Sequence, residues 1–145
     1  MGFRFNLQRV LEMRGDAEKA AGRVFDEANA ACTKLRALLQ EELSSYFAER
    51  EIFNDAARDT RLGELPSLER SLEARKRRLL EVMTALKEAE SDMRIAEQAL
   101  ILARRDLKAV ENLKERREDD WRRKEAIKER KQLDELATQR HARKA

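Results

Sequence analysis

Asp119 and Asp120 are adjacent carboxylates, the residue pair that acid–base chemistry draws on. They sit in the run REDDWRRKE, residues 117–125, around the chain's one tryptophan, Trp121. On a helix, sequence neighbours point about 100° apart, so these two side chains do not share a target. The spacing favours another role. Glu118 precedes Arg122 by four residues, Asp119 precedes Arg123, and Asp120 precedes Lys124. Acid before base at this interval is the favourable orientation for exposed helix pairs, each contributing a few tenths of a kcal/mol.

His141, the one histidine, lies in a polar tail. Cys32, the one cysteine, falls beside a run of alanines and reads as a small, half-buried hydrophobe. No Ser/His/Asp or Cys/His set can be assembled from these. Neither a Gly-rich phosphate loop nor a metal-ligand cluster is present. The expectation is a protein with no catalytic residues, cofactor, metal or small-molecule ligand, and so not an enzyme. A lone cysteine excludes an internal disulfide.

The elements that carry these residues are legible from composition. The 145 residues are 42% charged and 41% hydrophobic, with four glycines and one proline, which is the profile of long helices. Net charge is only +3, a mixed surface that argues against nucleic-acid binding. No apolar run nears the ~20 residues that span a bilayer. The N-terminus lacks the apolar core of a secretory signal and a serine or threonine for myristoylation. The reading is a cytoplasmic protein.

Turn-forming residues cluster in RLGELPS, residues 61–67. Gly63 is placed to end one helix and Pro66 to open the next. Downstream, alternating steps of three and four from Leu65 through Leu68, Leu72, Arg75, Leu79, Val82, Leu86, Ala89, Met93, Ala96, Leu100, Ala103 and Leu107 to Val110 meet one polar residue, Arg75. A stripe sustained over more than six heptads is a coiled-coil seam. Upstream, the same walk runs through Val10, Arg14, Ala17, Ala21, Val24, Ala28, Ala31, Leu35 and Leu38, then slips to Leu39, Leu43, Tyr46 and Phe53 in a stutter-like discontinuity. Asn6 is placed as an N-cap, with Phe5 and Val10 as a hydrophobic staple.

These patterns predict an all-α fold: a long two-helix antiparallel coiled-coil hairpin with a protruding C-terminal helix end. Residues 1–145 form a single coiled-coil domain, with helix one over about 6–60, a turn at about 61–66 and helix two over about 66–140. A monomer is expected, although two parallel chains could share the seam. With the turn centred near residue 64, Trp121 faces about residue 7. Phe3, Phe5, Leu7 and Trp121 are thus expected to form a structural terminal cap beyond the seam. The basic run RKRR, residues 75–78, reads as solvated charge near the tip or as contact with an acidic partner or a membrane surface. The stretch from Leu38 to Phe53 holds more large apolar groups than one seam can bury. Leu39, Phe47 or both should lie off it, as an interaction patch or a thicker core. Leu133, Leu136 and Ala137 share a face with no first-helix partner, so that segment either frays or docks in a groove.

Both ends of the chain also resemble a family. GFRFNLQRVLEMR carries Phe3, Phe5, Leu7, Val10 and Leu11 in the F-x-F-x-L-x-x-V-L order of flagellar FliJ proteins. VENLKERREDDWRRKEAIKERKQLDELA is similar to the FliJ C-terminal block through Leu113, Lys114, Arg117, Trp121, Arg123, Lys131, Asp134, Glu135 and Ala137. The resemblance implies an antiparallel coiled coil like the stalk of rotary ATPases, in the flagellar type III protein export apparatus. It implies binding to the hexameric export ATPase, contact with the cytoplasmic domain of the export-gate membrane protein, and a role toward export chaperones, at the cytoplasmic face of the inner membrane. Carried over, Arg117, Arg123, Lys131, Asp134 and Glu135 are the ATPase-binding candidates. Leu39, Leu43, Tyr46 and Phe47 are the gate-binding candidates, on the strength of the apolar patch. The alternatives are the equivalent stalk of a virulence injectisome, a structural coiled-coil scaffold without an ATPase, and nucleic-acid binding through the basic segments.

Overall fold

A computed structural model describes residues 2–144. The fold is all-α: α1 spans Gln8–Arg58 and α2 spans Leu65–Lys144, with no strand among the described residues. The chain divides into two compact units, Ala20–Leu100 and a second made of Met1–Lys19 with Ile101–Ala145.

In the unit Ala20–Leu100, α1 and α2 make a helical hairpin around residues 59–64. The turn is not built on Gly63. Thr60 takes the left-handed conformation, with φ 53°, and no glycine has positive φ. The Arg61 N–H donates to the Ala56 carbonyl at 3.0 Å and the Thr60 N–H to the Ala57 carbonyl at 3.4 Å. That double bond pattern is the Schellman helix end, with Thr60 where glycine usually sits. The Leu68 N–H donates to the Glu64 carbonyl at 3.1 Å, so α2 starts one residue before Pro66, which sits in the first turn. There its missing N–H leaves no bond unmade.

The α2 stripe lies where the spacing puts it: all fourteen positions from Leu65 to Val110 are buried or half-buried. The α1 stripe does not. Val24 is 55% exposed and Ala17 and Ala31 are exposed, whereas Phe25 is half-buried and Cys32 fully buried. The inward positions are Phe25, Cys32, Leu39, Tyr46 and Phe53, alternating with Ala21, Ala28, Leu35, Glu42, Glu49 and Ala56. From Ala21 to Ala56 that series alternates steps of three and four, so the discontinuity expected after Leu38 is absent. Its seam includes two glutamates; the apolar walk from Val10 shares Ala21, Ala28 and Leu35 with it and departs at Val24, Ala31 and Leu38, each one residue before an inward position.

Those glutamates meet the polar exception of α2. Arg75 Nε donates to Glu49 Oε1 at 2.9 Å, Arg75 Nη1 lies 3.8 Å from Glu42, and Arg78 Nε lies 3.6 Å from Glu42. The Ser71 hydroxyl donates to Glu49 Oε2 at 2.9 Å. Arg75 therefore does not simply reach past the seam to water, and half of the RKRR run is internally paired. The Arg75 guanidinium, through its hydrogen bond, holds the Glu49 carboxyl below the usual glutamate value, with a smaller contribution from Ser71.

In the other unit, Arg14 pairs with Asp106 at 3.4 Å and Arg104 with Glu18 at 3.5 Å. Lys114 Nζ donates to Gln8 Oε1 at 3.0 Å, and Arg117 donates to Asn6 Oδ1. Asn6 thus spends its side chain on Arg117 rather than on capping α1, and the first helical bond, Leu11 N–H to the Leu7 carbonyl, starts one residue later. In each unit the paired residues mirror one another about Arg61 rather than residue 64. The left-handed Thr60 ends α1 three residues before Gly63, and that shift re-aims every cross-helix pair.

Candidate functional site

Trp121 continues the α2 stripe. From Val110, steps of four, three and four reach Lys114, Arg117 and Trp121. The seam does not stop at Val110; it turns polar, and the N-terminal segment answers it. The Phe3 ring centroid lies 6.1 Å from that of Trp121, with the planes tilted by 50°. Phe5 is 8% exposed and lies under the Arg117 guanidinium, 5.7 Å from the ring centroid. Trp121, Phe3 and Leu7 are half-buried. Phe3, Phe5 and Trp121 line one recess, and Leu7 is not among its lining residues. The mirror about Arg61 explains this, since it sets Trp121 closer to Phe3 than to Leu7.

Of the three acid–base pairs expected around Trp121, Glu118–Arg122 forms at 3.1 Å, and Glu125 pairs with Lys128 at 3.6 Å. The charged candidates differ in how free they are. Arg117 is engaged by Asn6 and Phe5. Arg123, Lys131, Asp134 and Glu135 are all exposed, and none of them makes an ion pair among the described residues.

Beyond Glu125, every described residue of α2 through Lys144 is exposed. Leu133 is 66% exposed, Leu136 52% and Ile127 54%. At 100° per residue, Ala126, Leu133, Leu136 and Ala137 centre about 120° from Trp121, with Leu136 nearest to it at about 60°. The positions that continue that stripe are Lys124, Lys128, Lys131 and Glu135. This apolar face is therefore not an unfinished piece of the seam. It is a separate stripe, turned away from α1, with Arg140, His141 and Lys144 at its C-terminal end.

The apolar patch lies in the unit Ala20–Leu100. Leu39 and Tyr46 are seam residues and half-buried, Leu43 is half-buried on the seam's flank, and Phe47 is 54% exposed. The Tyr46 and Phe47 rings meet edge-on at 5.6 Å. Of the two residues expected off the seam, Phe47 is off it and Leu39 is on it. The Arg36–Glu90 pair at 3.6 Å marks which flanks of α1 and α2 face the same way. Leu43 and Phe47 lie on that flank of α1, and Leu80 and Met83, 53% and 49% exposed, lie on that flank of α2. The sequence reading did not single out Leu80 and Met83. Their signal was there: both lie off the Leu65–Val110 stripe, where an apolar residue has no seam to fill.

Among the described residues no cluster of His, Cys, Asp or Glu could hold a metal ion, and no helix is long and apolar enough to cross a membrane. The surface features among the described residues are an aromatic recess, an uncovered amphipathic helix and an apolar flank.

Comparison with known proteins agrees with both chain ends. No curated protein and no solved structure gives a match. The family model described as flagellar FliJ protein matches residues 3–145, which is essentially the whole chain. The chain belongs to the flagellar FliJ family, and with it to the components of flagellar type III protein export.

Proposed function

We propose that this chain is the stalk-like subunit that binds the hexameric export ATPase, promotes its assembly and activity, and links it to the export gate. On this reading residues 1–145 work as one coiled-coil domain. Arg117, Arg123, Lys131, Asp134 and Glu135 face the ATPase, with Arg117 also holding the N-terminal segment. Leu43 and Phe47, together with Leu39 and Tyr46 beneath them, face the cytoplasmic domain of the gate at the inner membrane. An escort role toward export chaperones would use the same apolar flank.

The observation that supports the reading best is the C-terminal part of α2. Residues 126–144 carry an apolar stripe aimed away from α1 and, Lys128 apart, charges with no ion-pair partner among the described residues. Exposed leucines at 66% and 52% cost solubility and contribute nothing to the fold, so a partner that covers them accounts for their presence. Charges beside them give contacts that are reversible and salt-sensitive.

The test is ATP hydrolysis by the partner ring with and without this protein. Stimulation is expected with the wild type. Lys131→Glu and Asp134→Lys should each weaken it roughly fivefold, with unchanged helical circular dichroism. No stimulation by the wild type, where the ring itself assembles, would leave the structural scaffold as the better reading.

A further inference from the structure

The net charge of +3 conceals a division. The unit Met1–Lys19 with Ile101–Ala145 holds nineteen Lys and Arg against thirteen Asp and Glu, a net +6. The unit Ala20–Leu100 holds thirteen against sixteen, a net −3. The aromatic recess belongs to the positive unit. Its volume is about 690 Å³, between the N-terminal segment and α2. Phe5 is buried at its base, while Phe3 and Trp121 are half-buried and keep part of their rings available.

The rim is cationic. Arg4 is exposed and makes no ion pair among the described residues. Lys114 bonds a neutral amide, Gln8 Oε1, which leaves its charge uncompensated. Arg122 and Glu118 neutralise each other at 3.1 Å. The recess thus combines aromatic faces with two uncompensated cations, inside a unit of the same sign.

We infer that this recess is a docking socket for an acidic, apolar-tipped segment of a partner protein, with Phe3 and Trp121 taking its apolar side chain and Arg4 and Lys114 its carboxylates. The inference rests on the proposed function to the extent that the export ATPase is the partner expected at this unit. Charge complementarity selects the occupant: a positive rim draws in carboxylates from a distance and repels a basic segment. The aromatic faces supply contact area at little entropic cost, which a carboxylate alone would lack. A nucleic acid fits less well. Asp119 and Asp120 occupy the neighbouring faces of α2, both exposed, and would meet a broad polyanion that a single peptide segment avoids.

Trp121, the one tryptophan, is a built-in reporter. The full-length chain is titrated with three probes while Trp121 emission is followed. One is a helical peptide with Glu on one face and Leu and Phe on the other, the second has Lys in place of Glu, and the third is a single-stranded DNA oligonucleotide. The acidic peptide should give a saturable change at low salt that weakens at least about tenfold at high salt. Arg4→Glu/Lys114→Gln should weaken it by a similar factor, since the glutamine keeps a donor for Gln8. Lys87→Glu, an exposed residue of the unit Ala20–Leu100, should leave it unchanged. Equal binding of the basic peptide or the DNA, or full binding by the double variant, overturns the socket. The ATPase assay separates the two readings. Peptide binding without ATPase stimulation removes the proposed function and leaves the socket; stimulation that persists without peptide binding does the reverse.

Discussion

At the scale of single residues, Thr60 carries the turn in a conformation its side chain opposes. A left-handed backbone costs an L-residue about 1–2 kcal/mol, more readily tolerated by glycine or asparagine than by a β-branched threonine. Thr60→Gly removes that cost but loosens the unfolded chain, which gives back part of the gain. A net stabilisation of about 0.5–1 kcal/mol is expected, read as a rise of about 2 °C in thermal midpoint. A fall would mean that the threonine side chain contributes more than its backbone conformation costs. Glu49 makes a second residue-level case. Its folded-state pKa is depressed by the Arg75 hydrogen bond. A depressed carboxyl stabilises the fold above its unfolded pKa, and the contribution fades as pH falls through the folded value. Glu49→Gln should therefore be less stable than wild type near neutrality, and the gap should close as pH drops from about 5 toward 3. A gap that stays constant with pH would assign the loss to packing instead of charge. Both carboxylate and guanidinium are partly solvated, so the difference at neutral pH should be small.

At the scale of the helix, α2 and α1 were not equally legible. In α2 the apolar residues fall on one stripe, and thirteen of its fourteen positions are unambiguous. In α1 two stripes compete. Val10, Ala17, Val24, Ala31 and Leu38 make an apolar row one residue ahead of the inward row Phe25, Cys32, Leu39, Tyr46 and Phe53, and the row common to both readings, Ala21, Ala28 and Leu35, continues into Glu42 and Glu49. A walk that rewards apolar residues settles on the wrong row. Only the partner helix decides, because Arg75 needs the glutamates and the glutamates need Arg75 and Arg78. The turn was misread for a related reason: glycine is the usual left-handed residue, and nothing in the local sequence announces that Thr60 takes the role. These polar groups bear on the choice of partner. In a parallel two-chain seam Glu49 would approach its own copy, and Arg75 likewise, whereas the antiparallel pairing joins opposite charges. Glu49→Leu/Arg75→Leu leaves Glu42 its contact with Arg78 and should raise stability by about 1 kcal/mol or more. The same change should broaden the mass distribution in light scattering, as alternative registers and two-chain species become accessible. A double variant with an unchanged single mass would show that the apolar seam and the turn specify the pairing without this polar layer.

At the scale of the whole molecule, the candidate site was legible in part and for different reasons along the chain. The aromatic contact near Trp121 followed from counting back from the turn, although the count was centred three residues late and so drew in Leu7. The freedom of Lys131, Asp134 and Glu135 could not be read from sequence, because i,i+4 partners were available on paper and only geometry shows which close. The orientation of the C-terminal stripe depends on where the seam ends, which needs both helices. That orientation leads to a truncation with two separable outcomes. Removing residues 126–145 deletes only residues that are exposed wherever they are described, and cuts the net charge of their unit from +6 to +3. The pairs Lys114–Gln8, Arg117–Asn6 and Phe3–Trp121 all remain. Thermal stability should therefore change by no more than about 0.5 kcal/mol, and Trp121 emission should keep its wild-type maximum. If the chain acts as the proposed stalk, stimulation of the export ATPase should be lost. If the truncated chain still stimulates, the contact lies at the recess or along the seam, and the exposed stripe serves some other partner. If it instead unfolds, residues 126–144 have a covering partner within this protein, such as a second copy, and their exposure in a single chain describes only one half of the assembly.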